Sequence, residues 1–406
     1  MNLNTSKNRI LFVDSLRGFA LLGMVLTHIR AWFVLSIIPS IINIKYQNDL
    51  ASVVVNQFNN FFIVGKFYTI FSLLFGISFG IQLAQRKTSD KKFIPRFIWR
   101  LLVLFIIGFI HHVLWNGDVL GVYAFLGIFL ILLRNIGSKT LLSFALFFIL
   151  ILPSFLRNQI QFYGSIPKAQ TRKGVEMGNV HQEKSYIQSF YTLKEGNYQE
   201  IISQNLKGLK TKVDYQFNTS RIFVTFGFML FGLFIGRGKV LENLELTRPY
   251  LSKILLLLII VTSSCVILLK KVDFGLNSHE GNSPIIIFHN FLILLKSLFI
   301  TLTYITGLFY LSNLKQMVFV NKTFATIGKM AMTNYLMQSA FGVLLFYGIG
   351  LGFAGDISPA WCYVIGIGIF IFQVIFSKWW LSKFYYGPIE WLWRSATYLK
   401  WQTITR

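Results

Sequence analysis

Apolar runs about as long as a bilayer is thick recur along this chain, and they constrain its fold more than any motif does. A helix rises about 1.5 Å per residue, so about twenty apolar residues cross a hydrocarbon core of about 30 Å. Runs of that size fall near 14–38, 60–84, 97–115, 118–135, 139–157, 219–238, 250–270, 284–312, 324–350 and 358–382. With 54% hydrophobic and 13% charged residues among 406, a soluble domain would lack the polar surface to cover itself. The expected fold class is all-α, a polytopic transmembrane bundle of about ten helices. The first run continues past the length of a signal-peptide core and shows no small-x-small cleavage pattern, which predicts a retained first helix.

Charge orients the bundle. The formal net charge is +24, from 39 Lys+Arg against 15 Asp+Glu. The basic residues sit mainly in short connections, so the expected counter-surface is anionic membrane lipid and not nucleic acid. Lys7 and Arg9 precede the first run, and Arg86, Lys87, Lys91, Lys92, Arg96 and Arg100 follow the second. Arg134 with Lys139, then Arg237, Lys239, Arg248 and Lys253, then Lys315 and Lys322, mark the later connections on the same side. The positive-inside rule makes that side cytoplasmic and puts both termini there.

The chain thus divides into helices 1–5 over 1–157, an extracytoplasmic loop over 158–218, and helices 6–10 with a tail over 219–406. The loop holds eight basic and five acidic residues, but loops of that length translocate largely regardless of charge. Its segment 183–212 is amphipathic enough for surface helices, either a lid or a solvated linker. No internal repeat of the transporter kind is evident. Cys265 and Cys362 both lie in apolar runs without metal or redox spacing.

Ionisable groups inside a span cost about 2.5–3.5 kcal/mol each on insertion scales and mark function by default. The first run holds three, Asp14, Arg17 and His28. Eleven residues make about three turns, so Arg17 and His28 share a face about 16 Å apart, with Asp14 one turn below Arg17. Asp14 and Arg17 suit interfacial anchors equally well. His111, His112 and Asp118 flank a tight outer turn at Asn116-Gly117-Asp118, on the side of His28. Adjacent histidines point about 100° apart on a helix, so no metal site is expected. Asn334 with Gln338, and Tyr68 with Ser72, are i,i+4 pairs suited to a substrate pocket or to interhelical hydrogen bonds. Glu390 and Arg394 form a further i,i+4 pair in a short helix after Gly387-Pro388, expected to dock on the cytoplasmic side.

Arg17, ten residues and His28 resemble the Arg-x10-His signature of transmembrane acyltransferases. A fuller resemblance covers nearly the whole chain. The blocks Asp14-Ser-Leu-Arg17-Gly18, Phe71-Ser72-Leu-Leu-Phe75-Gly76, His111-His112 with Gly117-Asp118, Gly328 to Ser339, and Gly387-Pro388-Ile-Glu390-Trp391-Leu-Trp393-Arg394 resemble the YeiB-like family of bacterial multi-pass membrane proteins. That family often carries Asn at the position of His28, so His28 draws this chain toward the acyltransferase pattern. The resemblance implies a protein of the bacterial plasma membrane and, by analogy, acyl transfer from a cytoplasmic acyl-CoA to an envelope or small-molecule acceptor. In that reading His28, Asp118 and His112 are catalytic. Arg17 and Asp14 serve the donor, and His111, Ser72, Tyr68, Asn334 and Gln338 line the substrate pocket. A small-solute transporter and a non-catalytic scaffold or sensor are the alternatives.

Overall fold

A computed structural model describes residues 3–29, 49–85, 92–165, 187–238, 248–276 and 284–406. The described chain is helical almost throughout. Helix α1 spans Leu3–Thr27. Helix α2 (Leu50–Phe58) opens on Asp49, whose carboxylate accepts the N–H groups of Ala51 and Ser52. A π-helical turn, Asn59–Ile63, and a left-handed Gly65 lead into α3 (Phe67–Gln85). Helix α4 (Phe93–Leu114) turns at Asn116-Gly117 into α5 (Leu120–Leu132). Helix α6 (Ser138–Leu146) runs through a second π-helical turn into α7 (Leu152–Ser165).

A short helix α8 (187–195) and the polar α9 (Tyr198–Asn218) follow, the latter started by a capping box of Asn197 and Glu200. Then come α10 (Arg221–Arg237), α11 (Leu251–Leu276), α12 (Pro284–Ser312), α13 (Val318–Lys329), α14 (Ala331–Phe346), α15 (Pro359–Lys383) and α16 (Pro388–Tyr398).

Among the described residues, six stretches are long and apolar enough to cross a bilayer: Leu50–Gln85, Phe93–Leu114, Ser138–Gln159, Arg248–Val272, Pro284–Ser312 and Pro359–Lys383. They become seven if α9 and α10, bent by 66°, make one broken span. The expectation of about ten is therefore met in kind but not in number. The run at 118–135 yields a helix of 13 residues, short of the roughly twenty a crossing needs. The run at 324–350 is broken at Met330. The outer part of the first run, 30–38, lies outside the described residues.

The Met330 break has a specific cause. Glu390 of α16 places its carboxylate on the start of α14. Its Oε1 accepts the N–H groups of Met332 (2.6 Å) and Thr333 (3.0 Å), and its Oε2 accepts the Thr333 hydroxyl. A helix N-terminus has unsatisfied donors and a positive dipole end, and a carboxylate supplies both needs. The expected Glu390–Arg394 pair is thus corrected: Arg394 lies over the Tyr386 and Tyr398 rings.

Glycine sets the closest crossing. A Cβ on Gly18 of α1 would stand 2.0 Å from the Phe324 carbonyl oxygen, and one on Gly328 of α13 would stand 1.8 Å from that of Asp14. Small residues on both faces let two backbones meet, as membrane helices commonly do. This contact gathers Arg17, Lys329, Arg100 and Glu390 at one end of the bundle. Helix α16 docks there, with Trp393 Nε1 donating to the Arg100 carbonyl and Trp99 Nε1 to that of Ala396.

Helix α9 lies across the opposite end, its Asn205 amide donating to the Val113 carbonyl. Gln199→Cys, exposed on α9, is expected to react with an impermeant maleimide in intact cells, since Cys265 and Cys362 are buried. Labelling that requires lysis would reverse the orientation.

Candidate functional site

The last turn of α4 and the turn after it build an acid–imidazole pair. Asp118 is 3% exposed and accepts from Leu120 N (3.1 Å), Gly121 N (3.0 Å) and His111 Nδ1 (2.9 Å). Lys212 Nζ of α9 lies 3.7 Å from its other oxygen. Burial alone would raise the Asp118 pKa, but the His111 bond, the Lys212 charge and the Gly121 N–H together hold it below the ordinary carboxylate value. The ionised carboxylate therefore accepts a hydrogen bond from the His111 Nδ1–H, which leaves Nε2 with the lone pair of the neutral ring. That Nε2 is buried without a hydrogen-bond partner.

His112 is placed differently. Its Nε2 donates to the Asn205 carbonyl (3.0 Å), and its Nδ1 accepts from Lys212 (3.2 Å). Both nitrogens are occupied where α9 packs. Asp118 meets His111 and not its neighbour His112, because the 100° step between adjacent residues turns one ring inward and the other toward α9.

His28 comes to the same chamber. Its ring meets Trp115 edge-on at 4.9 Å and lies 5.9 Å from the ring of Tyr335. His111 faces the same two side chains, 5.4 Å from Trp115 and 5.2 Å from Tyr335. The Tyr335 hydroxyl accepts from Val119 N (3.3 Å), tying α14 to the turn. His28 is 7% exposed and Nδ1 has no partner, yet it lines neither of the two cavities that reach this region.

The smaller cavity, about 280 Å³, has a polar mouth of Arg17, Ser78, Gln82, Arg100, Lys329 and Glu390. Asp14 braces Arg17 (2.6 Å), which also donates to Ser78 Oγ (2.6 Å). Arg100 donates to Gln82 Oε1 (2.8 Å) and stacks 4.1 Å over Trp393. At its far end the cavity is lined by Val119, Tyr123 and Tyr335. Glu390, outside the spans, has its pKa raised by burial against the opposing pull of Thr333 and the α14 N–H groups. The larger cavity, about 1050 Å³, runs along the other side of α14 and is lined by His111, Trp115, Ser339 and mostly aliphatic groups.

The other expected pocket residues serve packing. Asn334 donates to the Ile327 carbonyl and Ser377 Oγ, and Gln338 to the Leu21 carbonyl and Gln373 Oε1, so they tie α14 to α13, α1 and α15. Ser72 donates to the Tyr68 carbonyl (2.7 Å) and contacts Tyr123 Oη (3.1 Å), while the Tyr68 ring lies under the Arg221 guanidinium. None of these four lines either cavity. The sequence reading missed Trp115, Tyr335 and Lys212 as parts of the site. Tyr335 was visible inside the Gly328–Ser339 block, and Arg100 stood in the basic connection 86–100, which suits the phosphates of a CoA donor as well as orientation. Among the described residues no group of three or more His, Cys, Asp or Glu is placed to share a metal ion.

The low Asp118 pKa has a measurable consequence. A folded-state pKa below the unfolded value, about 3.9, adds stability above that pH that is lost as pH falls through the folded pKa. Thermal stability in detergent is thus expected to drop below about pH 4, and Asp118→Asn to flatten that dependence. The variant also strips a charged acceptor from the buried His111 and the partly buried Leu120 and Gly121 N–H groups, at about 1–3 kcal/mol. An unchanged acid profile in the variant would remove Asp118 from this role.

Comparison with known proteins fits this architecture. A family description, "Protein of unknown function (DUF418)", matches residues 235–400, from the end of α10 through α16. The chain is 28% identical to the uncharacterized protein YxaH of Bacillus subtilis over 99% of its own length and 97% of the relative's. It is 26% identical to the uncharacterized protein YeiB of Escherichia coli over 95% of each. No solved structure matches. The relatives extend the likeness across the N-terminal half that holds Arg17, His111 and Asp118, and the chain is similar over nearly its whole length to the YeiB-like proteins of unknown function.

Proposed function

We propose that the protein is a plasma-membrane acyltransferase with both termini cytoplasmic, moving an acyl group, acetyl the simplest, from acyl-CoA to an envelope or small-molecule acceptor. The smaller cavity carries this reading. It joins three cations, Arg17, Arg100 and Lys329, to Tyr335 beside the His111–Asp118 pair. An acyl-CoA has the same polarity, with phosphates at one end and a thioester on a flexible arm. Guanidinium groups suit phosphate through bidentate charge-assisted bonds. His111, with Nε2 free and its tautomer held by Asp118, is the general base of this arrangement, and Tyr335 is placed to donate to the thioester oxygen. The catalytic role passes from His28 to His111, and His28 packs the chamber wall.

Purified protein is expected to bind CoA by calorimetry, more weakly as salt screens the phosphate contacts. Arg17→Ala is expected to weaken binding by about 1.5–3 kcal/mol, the worth of a hydrogen bond to a charged group. No heat at millimolar CoA would favour a solute transporter instead.

A further inference from the structure

The larger cavity is open along the flank of the bundle between α4 and α14. Its rim carries Ile110 and Leu114 of the apolar span Phe93–Leu114, with Leu344 of α14 and Leu392 of α16, all well exposed. Lys400 and Trp401 mark one end, beside the docked helix α16, and the exposed Tyr198 at the start of α9 marks the other. Cationic and aromatic residues at the two ends of an apolar trough are the pattern of the two membrane interfaces. The trough therefore extends along the bilayer normal and is reached from the lipid phase.

One polar feature inside it is out of keeping with an inert surface. His111 lines the trough, is 6% exposed, and its Nε2 has no partner. A buried imidazole nitrogen left unpaired costs free energy unless a bound group completes it. The free nitrogen requires a hydroxyl or amine donor, and the walls require a long apolar chain. A volume of about 1050 Å³ lies at the upper end of ligand-pocket sizes and suits a chain better than a compact solute.

We propose that this trough is the acceptor site and that its occupant is a hydroxyl-bearing long-chain membrane lipid, chain along α4 and α14 and head hydroxyl at His111 Nε2. The proposal rests on the acyl-transfer reading for its chemistry, though not for the binding itself. His111 stands beside Tyr335, which lines the donor cavity, so the two substrates approach one imidazole from opposite sides of α14. As the lipid oxygen attacks the thioester carbonyl, its proton passes to His111 Nε2. An ester C–O bond forms, the C–S bond breaks, and the same proton goes on to the departing sulfur. The products are O-acyl lipid and CoA thiol.

The test is mass spectrometry of lipids retained by the full chain after purification in mild detergent, against a total extract of the same membranes. One hydroxyl-bearing class is expected to be enriched about tenfold or more, equivalent to about 1.4 kcal/mol of preference. Ala340→Trp, which fills the trough from an exposed position, is expected to abolish the enrichment while CoA binding stays unchanged. Val343→Trp gives an independent blockade should the first variant fold poorly. Retained lipid of bulk composition in both the parent protein and a folded blocked variant would overturn the proposal. So would a dimer that Ala340→Trp dissolves, since a second copy would then occupy the trough. Selective lipid retention without CoA binding would keep this site and sink the acyltransferase reading.

Discussion

His111→Ala is expected to abolish acyl transfer, lowering the rate by about a hundred- to ten-thousandfold, the usual worth of a positioned general base. His28→Ala and His112→Ala are expected to cost far less. The ranking follows from hydrogen bonding. His112 has both nitrogens engaged by Asn205 and Lys212, and His28 borders neither cavity. His111 combines a fixed tautomer, an unpartnered Nε2 and a place on a cavity wall. Thiol release from acetyl-CoA by membrane vesicles measures all three variants, with CoA binding as the control for folding. A dead His28→Ala beside an active His111→Ala would return the catalytic role to the first helix.

Gly328→Leu is expected to remove folded protein altogether. Even a Cβ at this position would stand 1.8 Å from the Asp14 carbonyl oxygen, and the atom it meets is backbone, which has no rotamer to escape into. Overpacking by a methylene or two in an ordinary core costs about 1–3 kcal/mol. Here α1 and α13 would have to separate, and the Asp14–Arg17 pair and the mouth of the smaller cavity would go with them. Gly368→Leu on α15 is the matched control, because nothing lies within 4 Å of its added Cβ. Fluorescence-detected size exclusion should show a single sharp species for the control and aggregate for Gly328→Leu. A well-folded Gly328→Leu protein would mean that the close crossing is dispensable.

Much of the fold was legible because lipid imposes a simple rule on sequence. The run at 284–312 coincides with α12, and Asn116-Gly117-Asp118 does form a tight turn. What was not legible depends on contacts between distant segments. Nothing in the hydropathy of Lys329-Met330-Ala331 marks a break, because the carboxylate that caps α14 comes from Glu390, 58 residues beyond Met332. Within the site, the helical step explains why one of two adjacent histidines meets Asp118 and the other does not, but not which. That depends on where α9 lies, and that helix is placed by Asn205 and Lys212 far along the chain. The spacing of Arg17 and His28 did place one residue at the cavity mouth and the other in the chamber, though His28 ended behind the wall.

The account turns on whether the smaller cavity is a donor path. Cryo-electron microscopy of the protein in lipid nanodiscs with millimolar CoA tests this most directly. The expected map has the phosphates between Arg17, Arg100 and Lys329, and the arm running past Ser78 toward Tyr335, with the sulfur beside the His111–Asp118 pair. A cavity empty of ligand density at that concentration, or CoA held elsewhere on the protein, would contradict it.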